Sequence, residues 1–163
     1  MKRIIGRRRI AALSVSTVAL VLLAAGGSSA AVATGAVTRT FSFIGKPGSS
    51  TLTVINIDSL LVNARCDARG NPIVFGFSQV ASADLFGRVF DGLGRVHIIH
   101  DSSFTNTSKG DLLTPTSGDY DSTATLLYET ATGKVVTVNF AFDNSTTLNK
   151  MRVCTVYGSL IAT

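Results

Sequence analysis

His97-Ile98-Ile99-His100-Asp101-Ser102-Ser103 brings imidazole, carboxylate and hydroxyl groups together in sequence and invites a Ser-His-Asp reading. Nucleophilic catalysis of that kind needs a base within hydrogen-bond reach of the hydroxyl and a carboxylate that orients the base. Neighbouring residues of a strand point to opposite faces, so residues adjacent in sequence seldom meet in that geometry. His97 and His100, three apart, are expected on opposite sides, one at the surface and one satisfied at a strand end. No Gly-x-Ser-x-Gly elbow occurs, since Gly76-Phe77-Ser78-Gln79-Val80 lacks the closing glycine. No residue is assigned as catalytic, and His97 and His100 remain candidate binding residues.

Asp111, Asp119 and Asp121 fall in one polar stretch, and oxygen-rich loops of exported β proteins hold calcium. The Asp-x-Asp/Asn-x-Asp/Asn-Gly spacing is missing, so solvated turn carboxylates are the first expectation and calcium the second. Tyr120 lies in the same stretch and is the one aromatic platform foreseen for a sugar, in a chain with no Trp and three Tyr. Nine aspartates guarantee some pair of carboxylates, so a glycosidase pair cannot be recognised from them. No cofactor motif is present.

Cys66 and Cys154 are the only cysteines, and they form no CxxC with which His97 and His100 could complete a zinc site. One disulfide is expected, closing a loop long enough to stabilise the fold by roughly 4 kcal/mol through restriction of the unfolded chain. The oxidising compartment is inferred from the first residues. Lys2, Arg3, Arg7, Arg8 and Arg9 precede the apolar run 10–25, and small residues follow up to Ala31-Val32-Ala33. This is the pattern of a signal helix cleaved after Ala33, leaving residues 34–163 as a single secreted domain. A Sec-type signal is the first expectation; Arg7-Arg8 would fit twin-arginine export, and an uncleaved segment would be the only contact with a membrane. Beyond Arg9 ten basic residues face ten acidic ones, so the pI near 9.6 describes the export segment. Nucleic-acid binding, which concentrates cations against phosphates, is excluded.

These groups must be carried by strands. The remaining chain is rich in Thr, Ser, Val and Phe and has a single Glu, a composition that suits pleated surfaces. Alternation predicts strands over 38–44, 51–57, 60–66, 73–80, 95–100, 122–128, 134–142 and 151–161. Asp67-Ala68-Arg69-Gly70, Asp91-Gly92-Leu93-Gly94 and Thr130-Ala131-Thr132-Gly133 read as hairpin turns of one form. Residues 81–87 are read as a helical turn, and 102–120 as a long exposed loop with Leu112-Leu113 docking inward.

The strand from Ile57 to Cys66, the Thr-Leu-Leu-Tyr…Gly-Lys-Val-Val-Thr-Val segment over 125–138 and the terminal Cys-Thr-Val-Tyr-Gly over 154–158 carry a resemblance. The chain resembles a group of uncharacterised secreted actinobacterial all-β proteins with one early and one late Cys. The resemblance implies secretion and the cysteine pair, and no activity.

The expected architecture is an all-β antiparallel sandwich of roughly eight strands, with a closed β-barrel as the alternative. The expected function is a secreted or cell-surface non-enzymatic module with an extracellular or cell-envelope partner. A carrier of a lipid-like ligand in a barrel lumen comes second, and a secreted hydrolase third.

Overall fold

The computed structural model describes residues 35–105, 111–112, 114 and 121–163. The segment 1–33 expected to be a signal, Asp119 and Tyr120 lie outside the described residues.

In chain order the strands are β1 (Val37–Gly45), β2 (Leu52–Ile57), β3 (Leu60–Cys66), β4 (Pro72–Ser78), β5 (Ala83–Phe90), β6 (Val96–Phe104), β7 (Asp111–Leu112), β8 (Ser122–Glu129), β9 (Val135–Asp143), β10 (Thr147–Leu148), β11 (Met151–Arg152) and β12 (Cys154–Ala162). All pairings are antiparallel. The larger sheet runs β1-β12-β9-β8-β5-β6. The smaller runs β2-β3-β4, with the two-residue β7 against β4, and β10-β11 is a separate short ribbon.

The three Gly-ended turns share one geometry. Residue 70, 94 or 133 takes a φ near 80°, where glycine carries no steric penalty. Its N–H bonds the carbonyl three residues back, at Asp67, Asp91 or Thr130. The N–H of that first residue in turn bonds the carbonyl of the residue after the glycine. This is the three-residue hairpin with a left-handed glycine. The first side chain completes it: Asp67 accepts from the Arg69 and Asn71 N–H groups, Asp91 from Leu93 and Arg95, Thr130 from Lys134.

Two other hairpins close without glycine. Asp58 and Ser59, both at positive φ, make a two-residue turn from β2 to β3, and Asn149 and Lys150 do the same between β10 and β11. Lys134 Nζ bonds Asp58 Oδ1 at 2.6 Å and ties two turns together.

Both sheets feed one core. Val62, Ala64 and Val74 come from the smaller sheet, and Leu85, Leu126, Val138 and Val156 from the larger. Each fully buried Leu or Val contributes about 2 kcal/mol. Tyr128 is fully buried, and its hydroxyl is satisfied by Ser78 Oγ at 2.9 Å, while Ser78 Oγ donates to the Val80 carbonyl. Cys66 and Cys154 form a disulfide between β3 of one sheet and β12 of the other. Gly45 leaves room for it, because a Cβ there would lie 2.6 Å from the Cys66 sulfur.

Two expectations need correction. The larger sheet ends at β1 on one side and β6 on the other, and these strands do not pair, so there is no closed barrel. Residues 83–90 form a strand, where the sequence reading placed a helical turn over 81–87. Ala83, Leu85, Gly87 and Val89 alternate into the core, and a strand-period apolar set cannot be buried by a helix. Gly87 hid this pattern; it is there because a Cβ would sit 2.5 Å from Leu126 Cδ2.

Candidate functional site

The solvent face of β5, β6 and β8 is apolar although the opposite face of the same strands already supplies the core. Cross-strand register arranges it as a grid. Leu127, Phe86 and His100 lie in one row, Thr125, Arg88 and Ile98 in the next, and Thr123, Phe90 and Val96 in the third. Phe86, Phe90, Val96, Ile98 and Leu127 are between 39% and 58% exposed. Single exposed apolar residues are ordinary; a contiguous group marks a contact surface. Phe86, Phe90 and Leu127 wall a shallow groove of about 310 Å³, with Arg88 and Thr125 completing it. No ion pair to Arg88 occurs among the described residues. The centre of the grid is thus a cation without an ion pair among the described residues, set beside Phe86, Phe90, Ile98 and Thr125.

The other end of the same face is different in kind. Across β1, β12 and β9 a shallow groove of about 620 Å³ is lined by Thr40, Ser42, Asn139, Ala141, Tyr157 and Ser159, among others. Tyr157 is half exposed. Thr125 Oγ1 donates to Asn139 Oδ1 at 3.0 Å and fixes that side chain.

The histidines stand on opposite sides of β6, as the spacing requires. His97 Nε2 lies 3.8 Å from Asp91 Oδ2, and His100 Nε2 lies 3.5 Å from Asp84 Oδ1. The His100 ring meets Phe86 edge-on. His100 is exposed and His97 partly so, and each has a carboxylate nearby. Asp101 accepts from the Ser103 N–H and hydroxyl. The histidine–aspartate–serine stretch is therefore not brought together: each imidazole has a different carboxylate from another strand or turn.

Asp91 is enclosed by the turn it builds. Burial pushes its carboxyl upward, and hydrogen bonds from Arg95 and Leu93 with the Arg95 charge outweigh this and hold it below its ordinary value. Asp67 follows the same pattern, burial opposed by Asn71 and Arg69. Asp143 is the strongest case. Burial raises it, but Thr146, Ser145 and Asp121 hydrogen bonds bring it from 3.8 down to about 2. Tyr128 is raised by burial, with the Ser78 hydrogen bond opposing and the Asp58 charge assisting.

Of the loop carboxylates, Asp121 is beside Asp143 and lines a groove with it. Asp119 and Tyr120 are outside the described residues, as are the side chain of Asp111 and all of Leu113; β7 does pair Leu112 with Phe75. Among the described residues no three His, Cys, Asp or Glu side chains cluster as metal ligands.

The apolar grid was missed from sequence. Its signal was present: in Asp84-Leu85-Phe86-Gly87-Arg88-Val89-Phe90 both parities are apolar, which a half-solvated strand does not require. Tyr157, one outward residue among hydroxyls on the final strand, was likewise passed over in favour of Tyr120.

The chain matches no protein-family model, no curated protein and no solved structure.

Proposed function

We propose that the chain is a secreted or cell-surface β-sandwich module that binds a protein of the extracellular space or cell envelope and carries out no reaction itself. The observation that carries this reading is the grid of Phe86, Phe90, Val96, Ile98 and Leu127 around Arg88 on the solvent face of the larger sheet. Apolar surface gathered around an unpaired Arg suits a partner that presents apolar side chains and a carboxylate. A rigid sheet supplies this surface without ordering a loop on binding, which keeps the entropic cost of association low. The Cys66–Cys154 disulfide supports an oxidising compartment, in keeping with the basic and apolar start of the chain. The separation of His97, His100 and Asp101 onto different partners supports the non-enzymatic reading, and no cofactor is invoked. The carrier reading asked for a barrel lumen, and the described grooves are shallow and open on the sheet surface.

The test is to add the purified secreted domain, labelled, back to intact cells of its own source and measure retention. Phe86→Ser and Leu127→Lys are expected to lower retention at least tenfold while Tyr157→Ser leaves it unchanged. Equal retention of all three would overturn the assignment of the face.

A further inference from the structure

We infer that β6 is an assembly edge, and that two copies of this chain pair their β6 strands antiparallel about a two-fold axis to give one continuous sheet. Among the described residues β6 pairs with β5 alone, and no described strand takes the opposite row of its backbone N–H and C=O groups. Such edges are usually blunted by Lys, Pro, a bulge or short length. β6 is nine residues long, and Val-His-Ile-Ile-His-Asp-Ser-Ser-Phe contains no Lys, Arg or Pro. Its register shift against β5 lies at the far end, beyond Asp101, so 96–100 is a regular edge. The other edges are treated differently. β1 carries Arg39, and β2 has a register shift between Thr53 and Ile55 in the middle of its six residues.

The occupant is a second copy because the edge is complementary to itself. An axis through Ile98 sets Ile98 opposite Ile98 and Asp101 opposite Arg95 of the second copy. An axis through Ile99 sets Ile98 opposite His100 and Asp101 opposite His97. In the first register Asp101 meets Arg95, already bonded to Asp91, and in the second it meets His97; in both an apolar or imidazole side chain meets Ile98, which is 58% exposed in the single chain. The two apolar grids would then adjoin across the new strand pair. The inference rests on the sheet edge and holds whether or not the outer face takes a partner.

Sedimentation equilibrium on the secreted, disulfide-closed protein tests it over a wide concentration range. The wild type is expected at twice the chain mass, Ile98→Lys at the chain mass, and Leu127→Lys, on the same face but two strands inward, at twice the mass. Val96→Lys repeats the test if Ile98→Lys loses its near-ultraviolet circular dichroism. A wild type that stays monomeric overturns the inference, and so does a dimer that survives both β6 variants. Loss of the dimer in Leu127→Lys as well as Ile98→Lys would show face-to-face association and overturn edge pairing. Loss of partner retention in Leu127→Lys with the dimer intact would separate the two surfaces.

Discussion

The two ends of the larger sheet bury similar inner faces and arrange their outer apolar residues differently, clustered around Arg88 at one end and spread among hydroxyls at the other. At the β1-β12-β9 end, Phe43, Val156 and Val138 point inward while Thr40, Ser42, Asn139 and Ser159 face solvent, with exposed Tyr157 among them and exposed Ile44 and Ile161 towards the two ends of the strands. At the β8-β5-β6 end, Leu126, Leu85 and Val89 point inward, yet Leu127, Phe86, Phe90 and Ile98 face solvent too. The first end follows the rule for a half-solvated sheet over Thr40, Ser42, Asn139 and Ser159. It also carries the disulfide and Gly158, where a Cβ would fall 1.9 Å from the Asn139 carbonyl oxygen and 2.8 Å from Phe41. The second end departs from the rule. The contrast separates a stabilising region from the proposed contact region within one sheet, and substitutions should divide along the same line.

The largest effect is expected at the disulfide. Its cysteines are 88 residues apart, so Cys66→Ser should destabilise by about 4 kcal/mol in the chain-entropy account, read from denaturant midpoints. The freed Cys154 should also give disulfide-linked dimers on a non-reducing gel, and unaltered midpoints would remove the staple from the stabilising region. Gly158→Ala forces backbone apart and should cost about 3 kcal/mol, the upper range for overpacking. A near-neutral result there would show that the strands can give, and would weaken the contrast.

Tyr128→Phe lies on β8, on the buried inner face of the second end. It should cost about 1 kcal/mol, since Ser78 keeps its bond to the Val80 carbonyl and loses only the phenol. A further effect is expected on acid stability. Asp143 is at about 2 in the folded chain against an ordinary 3.8, so its contribution is present above pH 4 and is lost as pH falls towards 2. Asp67 and Asp91 are shifted the same way and act in the same sense. Thermal midpoints should be level above pH 5 and fall below 4, and Asp143→Asn should flatten that fall.

What could be read in the sequence was whatever one strand or turn encodes by itself. Val136, Val138, Phe140 and Phe142 alternate with polar residues, and all four are buried. The three turn glycines announce their positive φ, and the lone cysteine pair announces the bond. The turn at Asp58-Ser59 was less legible because two non-glycine residues hold positive φ, which no local preference demands. β5 was misread because Gly87 interrupts its buried set, and the reason for that glycine is Leu126 on the neighbouring strand. The proposed contact region was only partly legible, in the apolar residues of both parities along β5. Phe86, Phe90, Ile98 and Leu127 are distant in sequence and become one surface only through the β6-β5-β8 register.

The most direct measurement pairs stability with binding in a single variant of the contact region, Leu127→Lys. Its thermal midpoint and its retention on cells of the source should be taken side by side with wild type. The expected result is stability within about 0.5 kcal/mol of wild type, as for an exposed substitution, with retention lowered at least tenfold. Full retention at unchanged stability would contradict the contact region, and a large loss of stability would show that Leu127 belongs to the scaffold instead.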